Sequence, residues 1–377
     1  MIRMSRELLI IAAIAIICII VSPFYKDTQL PNLDAKPQYV ERINKTYEVV
    51  KTKNPMKIVH MSDSFLPITY AGSEISSYET LKFLKQRGHD VSIIIKSDKI
   101  KEYDGLPVYE YNKTDPECVA KIVNADYVFF LMGGSYRDLD EVNMRTKPTF
   151  IFVHIMNSYA WLIQQPSTFL MTVVFNSRVT QNHCPTHHDN MVMVPYVDTS
   201  PFKTLRQQTY KNVIVTLINC NNNKGGLVLK DIATKMNDIK FLGVKGGYSK
   251  QVLEDKTDPK NITYIDTQED VTIVYRQTGI LLMPSKDETW GRTAVEAMSA
   301  GIPVIHSEAP GLVECVGGAG VMCVRNDTDA WCRAINRILS DPGYREKLRQ
   351  NGFRRVEEIE ILQRKGRLEL AKKIEEE

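Results

Sequence analysis

The sequence predicts an α/β protein with two doubly wound domains that face a cleft. The composition is that of an ordinary globular chain, with 43% hydrophobic and 25% charged residues among 377. Short apolar runs recur between helical patterns from residue 56 onward, and a second series of such runs begins after residue 203. Apolar runs of about 4–8 residues are typical of strands buried on both faces of a parallel sheet, with helices as right-handed crossovers.

The elements follow from these runs in chain order. A first domain is predicted over 56–203 and a second over 204–377. Helices are predicted over Ser76–Gln86, over Arg292–Ala300, and in the charged segment from Asp327 onward, where the terminal helix could cross back to the first domain. The expected strands are 56–63, 91–96, 125–132, 149–155 and 171–177 in the first domain, and 212–219, 239–244, 262–265, 279–284, 302–307 and 320–324 in the second.

Residues 1–25 predict a transmembrane signal anchor. Leu8–Val21 is an uninterrupted apolar run that reaches the lower limit of a spanning helix, about 17 residues, only when it is extended to residue 25. Near a possible cut site the stretch IIVSPF offers only Ser22 as a small residue, and Pro23 follows it, which favours an uncleaved anchor over a cleaved signal. Residues 26–55 then read as a stem. Two preceding arginines favour a cytoplasmic N-terminus, so we expect a single-pass membrane protein whose folded part lies on the lumenal or extracytoplasmic side.

Charge and motif content exclude several functions. A net charge of +3 does not indicate a nucleic-acid partner. Seven cysteines without a CxxC pair indicate neither a disulfide scaffold nor a structural zinc site. The HCPTHH cluster at 183–188 has no second ligand pair, so a zinc site is disfavoured there. The DLD triplet at 138–140 resembles a metal–diphosphate motif but lacks a strand-end context, so it is interpreted as surface charge. Because no GxGxxG follows a strand, a dinucleotide-dependent oxidoreductase is disfavoured as well.

The stretch PSKDETWGRTAVEAMSAGIPVI, residues 284–305, is the first candidate site. Glu288 lies in a predicted strand-end loop and Glu296 one to two turns into the following helix. Gly291 allows close backbone approach, and a helix start can receive an anion such as a diphosphate. Each carboxylate can accept two hydrogen bonds from a vicinal diol. The structural alternatives are that Glu296 only pairs with Arg292 at i, i+4, and that Glu288 only favours the helix start.

Three further positions lie at predicted strand ends. Lys224 and Gly225 follow a strand within LINCNNNKGGLVL, where a lysine can neutralise a phosphate. Gly72 could admit a ligand in the loop after the first strand. His154 ends the strand TFIFVH and could bond a sugar hydroxyl or transfer a proton. The alternatives are a turn with a solvated lysine and a buried histidine with internal partners.

Taken together, these stretches resemble the retaining glycosyltransferases of family four, which have the GT-B fold with two Rossmann-like domains. The likeness extends from about residue 56 to about residue 350. Its most specific part is the E-x7-E element of Glu288 and Glu296 with its EAM-x-x-G-x-PV continuation and the later G-x-x-E at Gly311–Glu314. The stretches RGHDV, VVFNS and NNNKGG follow the family's order.

The resemblance implies that the second domain binds a nucleotide sugar and the first binds the acceptor. Glu296 would hold the ribose hydroxyls, Glu288 the transferred sugar, and His154 would contact that sugar. No cofactor other than the donor and no metal is implied, and transfer would retain the anomeric configuration. The predicted catalytic residues are Glu288, His154 and Lys224, and the predicted donor-binding residues are Glu296, Gly291, Arg292, Thr293, Lys224, Gly225 and Gly72.

The sequence departs from the family at one cationic position. The family commonly has an arginine five residues before the loop lysine, where this chain has Asn219. Lys245 or Arg292 could compensate for the missing charge. The usual glycine pair of the first loop is also changed, to Ala71-Gly72. Three functions stay open: a glycosyltransferase acting from a UDP- or GDP-sugar on a glycan, lipid or protein-linked acceptor, a GT-B nucleotide-sugar epimerase, and a catalytically inactive nucleotide-sugar-binding protein.

Overall fold

The computed structural model describes most of the chain beyond the predicted anchor. The anchor at 1–25, most of the stem and the DLD triplet lie outside the described residues. No helix within the described ranges combines the length and apolarity that a bilayer crossing requires. The described ranges are 50–97, 99–112, 114–132, 147–156, 159–209, 212–247, 249–253 and 258–376.

The first sheet has eight strands. They are β1 (Lys57–Ser62), β2 (Asp90–Ile95), β3 (Glu102–Tyr103), β4 (Leu106–Glu110), β5 (Tyr127–Leu131), β6 (Thr149–Val153), β7 (Met171–Phe175) and β8 (Asp189–Val192). Their order is β3-β4-β2-β1-β5-β6-β7-β8, and only β3 and β4 pair antiparallel. The helices of this half are α1 (Gly72–Gln86), α2 (Pro116–Val123), α3 (Tyr159–Leu162), α4 (Arg178–His183), α5 (Ser200–Lys203) and α6 (Arg206–Thr209).

Strand β5 shows why a continuous apolar run becomes a central strand. Successive side chains of a strand point to opposite faces of the sheet. Phe129 enters one hydrophobic core and Phe130 the core on the other face, and both are at most 1% exposed. Helices therefore cover both faces of this parallel sheet.

The second sheet has six parallel strands in the order β11-β10-β9-β12-β13-β14. They are β9 (Ile214–Ile218), β10 (Phe241–Val244), β11 (Ile262–Ile265), β12 (Thr278–Met283), β13 (Val304–His306) and β14 (Val321–Met322). The helices are α7 (Gly226–Lys235), α8 (Thr272–Gln277), α9 (Arg292–Ser299), α10 (Pro310–Val316), α11 (Thr328–Ser340) and α12 (Pro342–Glu375), with a short 3-10 turn at Gly317–Ala319.

The last helix, α12, contacts both halves of the chain. Val356 lies in a core of the second half, whereas Leu370 lies in a core of the first half. Near its end, both carboxylate oxygens of Glu375 accept hydrogen bonds from Arg87, at 2.7 and 2.6 Å. The return of the terminal helix to the first domain, which the sequence left open, is present. It joins the two sheets by a second route besides the chain between them.

The β3–β4 hairpin was not predicted from the sequence. Its turn residues, Asp104 and Gly105, have φ of 49° and 72°. Two-residue hairpins with positive φ at both positions favour Asp-Gly, so this dipeptide before LPVYE could have indicated the turn. The hairpin extends the edge of the first sheet beyond β2.

Candidate functional site

Each sheet has one point where the strand order reverses, between β1 and β5 in the first and between β9 and β12 in the second. Ligands of doubly wound sheets bind beyond the carboxyl ends of the strands at such points. The loop at 219–225, which contains Lys224, follows β9. The loop at 284–291, which contains Glu288, follows β12. The two predicted donor loops therefore leave adjacent strands at the reversal of the second sheet.

The two loops are in direct contact because Gly225 has no side chain. Its φ is 99°, and an added Cβ would lie 2.3 Å from Cγ of Pro284. The backbone N–H of Lys286 donates to the carbonyl of Asn223 at 2.7 Å. A residue with a Cβ would therefore separate the loops or strain the backbone.

Lys224 and Glu288, predicted from separate motifs, form an ion pair. The Nζ of Lys224 donates to Oε2 of Glu288, and both side chains are less than one fifth exposed, at 18% and 17%. The backbone N–H of Lys224 donates to Oδ1 of Asn221 at 2.8 Å, which orients the loop. A cation and a carboxylate thus share one partly buried place at the strand ends. A ligand with an anionic group and a hydroxyl could bond both.

Glu296 is buried inside the second half. Oε2 accepts a hydrogen bond from the hydroxyl of Tyr275 at 2.8 Å, and Oε1 lies 3.9 Å from a guanidinium nitrogen of Arg292. Burial raises the pKa of Glu296 above its ordinary value, while Arg292 opposes that shift. Burial, and then the neighbouring carboxylate, raise the pKa of Tyr275 as well. The i, i+4 pair is present, but at a separation that indicates a weak contact.

The start of α9 has no side-chain cap and is half-buried at Arg292 and Thr293. No side chain caps this helix, and the first N–H groups of a helix, here those of Arg292 and Thr293, have no acceptor within it. The Arg292 side chain instead reaches the first half, where Nη1 donates to the carbonyl of Tyr196. An added Cβ on Gly72 would lie 3.5 Å from Cδ of Arg292. Gly72, which the sequence predicted in a loop, is the first residue of α1, and it lies beside the Arg292 side chain from the start of α9.

His154 follows β6 at the carboxyl edge of the first sheet and is partly buried. Burial, and then the charge of Arg292, lower the pKa of its imidazole to about 4. The ring is therefore neutral at pH 7 and can donate or accept a hydrogen bond. Its backbone carbonyl accepts a hydrogen bond from Oγ1 of Thr289 at 2.9 Å.

Asn219 contributes an amide where the resembled family has a cation. Its φ is 68°, a left-handed conformation that asparagine tolerates better than most residues. Its Oδ1 accepts from Nε2 of Gln251 at 3.2 Å, and an added Cβ on Gly246 would lie 2.2 Å from its Cγ. Lys245 pairs with Asp266 at 2.5 Å. The side chain of Asn219 is therefore engaged with the neighbouring loop.

Several residues of the site were not found from the sequence. The sequence assigned no role to Tyr275, Tyr196 or Thr289, although Thr289 lies within the candidate stretch 284–305. Ser177 caps α4, and the neighbouring Asn176 donates a hydrogen bond to Thr289. Within the described ranges no group of three or more His, Cys, Asp or Glu side chains is arranged to hold a metal ion, and these ranges include the HCPTHH cluster.

Residues 206–355 match the sequence model of the family described as Glycosyl transferases group 1. This range includes both donor loops. The D-inositol 3-phosphate glycosyltransferase of Salinispora arenicola is 35% identical over 90 residues, which is 23% of this chain and 20% of that protein. The O-antigen chain mannosyltransferase B of Escherichia coli is 34% identical over 91 residues, 24% of each chain. The chain therefore spans no more than about a quarter of the curated relatives that it matches.

Solved structures are similar over most of the chain. A glycosyltransferase from Rickettsia africae has a TM-score of 0.64 at 19% identity and covers 85% of this chain and 99% of its own. The Anabaena protein HepE, solved in complex with UDP and glucose, has a TM-score of 0.66 at 17% identity and covers 84% and 99%. The chain therefore has the two-domain GT-B fold predicted from the sequence. Its second half is similar in sequence to glycosyl transferases group 1.

Proposed function

We propose that this chain is a retaining glycosyltransferase that moves a sugar from a UDP- or GDP-sugar to a glycan, lipid or protein-linked acceptor. The observation that carries the proposal is the contact of Lys224 with Glu288 at the reversal point of the second sheet. A cation and a carboxylate beside an uncapped helix start suit a diphosphate and a sugar hydroxyl. The family match of residues 206–355 supports the same assignment.

The proposed donor lies along the carboxyl edge of the second sheet. Its diphosphate would accept hydrogen bonds from the first N–H groups of α9, where the positive end of the helix dipole favours an anion. Glu288 would accept from a hydroxyl of the transferred sugar, and Glu296 from the ribose diol. Glu296 is 9% exposed, so the diol would have to reach a largely buried carboxylate.

The proposed reaction breaks the bond between the anomeric carbon and the diphosphate oxygen. A bond to the acceptor oxygen forms on the same face of the sugar, and the acceptor proton passes to the leaving phosphate oxygen. Lys224 would stabilise the negative charge that develops on this group, which is the kind of preorganised electrostatic contribution that often dominates catalysis. The neutral His154 would bond a hydroxyl of the transferred sugar.

The test uses the full-length chain in detergent with a panel of UDP- and GDP-sugars, with and without a metal chelator. Binding and nucleoside diphosphate release are measured for the wild type and for Lys224→Ala, with Lys286→Ala as the matched control. Lys286 lies on the facing loop but is exposed. We expect Lys224→Ala, but not Lys286→Ala, to lose most donor binding and nucleoside diphosphate release. The chelator should have no effect on either. If the wild type neither binds nor cleaves any nucleotide sugar, the proposal fails. Because the solved HepE complex contains UDP and glucose, UDP-glucose is the first donor to test.

Asn219 favours one second candidate, a nucleotide-sugar-binding protein without turnover. Its side chain is engaged with Gln251 and supplies no charge for a leaving group. Donor binding without release of nucleoside diphosphate would support this candidate. Conversion of one nucleotide sugar into another without an acceptor would instead indicate an epimerase.

The membrane attachment remains a proposal. We propose a single-pass anchor at residues 1–25 with the catalytic part on the extracytoplasmic or lumenal side. Recovery of the full chain in the membrane fraction after carbonate extraction supports an anchor, and protease protection of the remainder in sealed vesicles supports the side. Recovery in the soluble fraction contradicts the anchor.

A further inference from the structure

We propose that Thr289 is a positioning residue that, together with Glu314, clasps the two halves of the chain so that Glu288 faces His154. The inference rests on the proposed function for its catalytic consequence. It rests on two independent sets of contacts between the halves for its structural part. Neither residue is in the predicted donor-binding set.

Thr289 forms the first arm of the clasp. Its hydroxyl donates to the backbone carbonyl of His154 at 2.9 Å and accepts from Nδ2 of Asn176 at 2.9 Å. These partners follow β6 and β7 of the first sheet, whereas Thr289 follows β12 of the second. Asn176 is only 4% exposed, so this contact lies away from bulk water. The residue directly after Glu288 is thus bonded to two strand ends of the opposite half.

Glu314 forms the second arm. Its two carboxylate oxygens accept hydrogen bonds from the backbone N–H groups of Arg178 and Val179, at 2.9 and 2.8 Å. These are the first two N–H groups of α4 in the first half. An acidic side chain at a helix start is favoured both by these unpaired donors and by the helix dipole. The glutamate of the G-x-x-E element therefore contacts protein in this chain.

The two arms are linked because α10, which carries Glu314, packs directly on the loop that carries Thr289. The backbone N–H of Gly311 in α10 donates to the carbonyl of Glu288 at 3.1 Å. An added Cβ on Gly311 would lie 2.3 Å from the carbonyl carbon of Thr289, so α10 rests directly on this peptide. At the far end of the same helix, the Cys315 thiol donates to the carbonyl of Gly291 at 3.5 Å. A movement of α10 away from α4 would therefore move the loop that carries Glu288.

The geometry has a consequence for turnover. A donor bound to the second half alone could still contact Lys224 and the start of α9. His154 and the proposed acceptor-binding half lie beside that donor only when the two halves are closed. The clasp should therefore affect the chemical step more than donor binding, since a misplacement of about 1 Å can lower a rate by about 100-fold.

The experiment compares Thr289→Val, which keeps the size but removes the hydroxyl, with Thr289→Ser, which keeps the hydroxyl. The matched control is Thr278→Val, because the hydroxyl of Thr278 bonds Val274 and Thr216, at 2.9 Å each, and both partners lie within the second half. In full-length protein we expect Thr289→Val to lower kcat at least about tenfold while donor Kd changes less than about twofold. Thr289→Ser should restore kcat, and the control should leave it unchanged.

A second measurement, which does not depend on enzymatic activity, is hydrogen exchange at the amides that Glu314 contacts. If the arms act together, Thr289→Val should speed exchange of the Arg178 and Val179 amides at least about threefold. Glu314→Gln should lower kcat in the same way, which covers the case in which Thr289→Val does not fold. Unchanged exchange at these amides in a folded Thr289→Val overturns the clasp, as does failure of Thr289→Ser to rescue. If no nucleotide sugar is turned over by the wild type, the proposed function fails, while the exchange result still decides the clasp.

Discussion

The substitution Glu296→Gln separates stability from donor binding. Glutamine keeps the shape of the side chain and one oxygen that can accept from Tyr275, but it removes a buried charge. Because burial raises the pKa of Glu296 in the folded protein, the folded state binds more protons than the unfolded state between the ordinary value of 4.5 and the raised value. The free energy of unfolding therefore falls as pH rises through this window, and the charge does not stabilise the fold at pH 7.

The magnitude of the binding effect follows from the hydrogen bonds lost. A hydrogen bond to a charged acceptor contributes about 1.5–3 kcal/mol. A glutamine oxygen can replace one acceptor for a ribose diol but not both. We therefore expect Glu296→Gln to weaken nucleotide-sugar binding by about 10- to 150-fold. Its free energy of unfolding at pH 7 should be equal to that of the wild type or higher.

The assay is calorimetric titration of a nucleotide sugar together with urea unfolding at pH 7 and pH 5. Tyr275→Phe is the comparison, because it removes the hydroxyl donor and leaves the carboxylate. It should lower stability and largely preserve donor affinity. Unchanged affinity in Glu296→Gln would refute the reasoning, and Glu296 would then be only a structural partner of Tyr275 and Arg292.

Three further predictions concern stability. The pKa of His154 is about 4 in the folded protein against 6.5 when unfolded, so the unfolded state takes up a proton first and stability falls as pH drops from about 6.5 towards 4. His154→Gln should therefore make the difference in urea midpoint between pH 7 and pH 5 smaller than in the wild type. An unchanged difference contradicts this prediction. Gly225→Ala should lower the free energy of unfolding by about 2–5 kcal/mol, because Gly225 has a left-handed φ and contacts the facing loop. Gly318→Ala is the control, since no atom lies within 4 Å of an added Cβ there, and it should change the free energy of unfolding little. Equal effects of the two substitutions would show that the loops can separate freely. Glu375→Gln should lower the free energy of unfolding by about 1.5–3 kcal/mol, because the bidentate pair with Arg87 is lost. No change in this free energy would mean that the end of α12 does not stabilise the first half.

Much of the candidate site follows from local sequence. Arg292–Ser299 forms a helix whose start is marked by Gly291, and the preceding apolar run is strand β12. The E-x7-E spacing therefore places one carboxylate in the strand-end loop and the other within the helix. The helix periodicity and the strand run are local properties, and for this reason they could be predicted without the fold.

The partners of these residues could not be predicted in the same way. Lys224 and Glu288 are 64 positions apart and meet because β12 lies beside β9 in the second sheet, although β10 and β11 come between them in the chain. The sequence suggested Lys245 or Arg292 as substitutes for a missing cation at 219. In the structure Lys245 is paired with Asp266, and Arg292 bonds a carbonyl of the first half.

The sequence by itself determined the α/β alternation of both halves and the residue types at the strand ends of the site, because burial on both faces and helix starts leave short-range patterns. The short strands β3, β4 and β8 at the edges of the first sheet were not predicted. Only the tertiary structure decided which strand ends are neighbours and which side chains pair across the halves. The contact of Thr289 with His154 and Asn176 joins residues more than 110 positions apart. Such contacts depend on sheet order and on the packing of two domains, and neither is encoded in the spacing of residues along the chain.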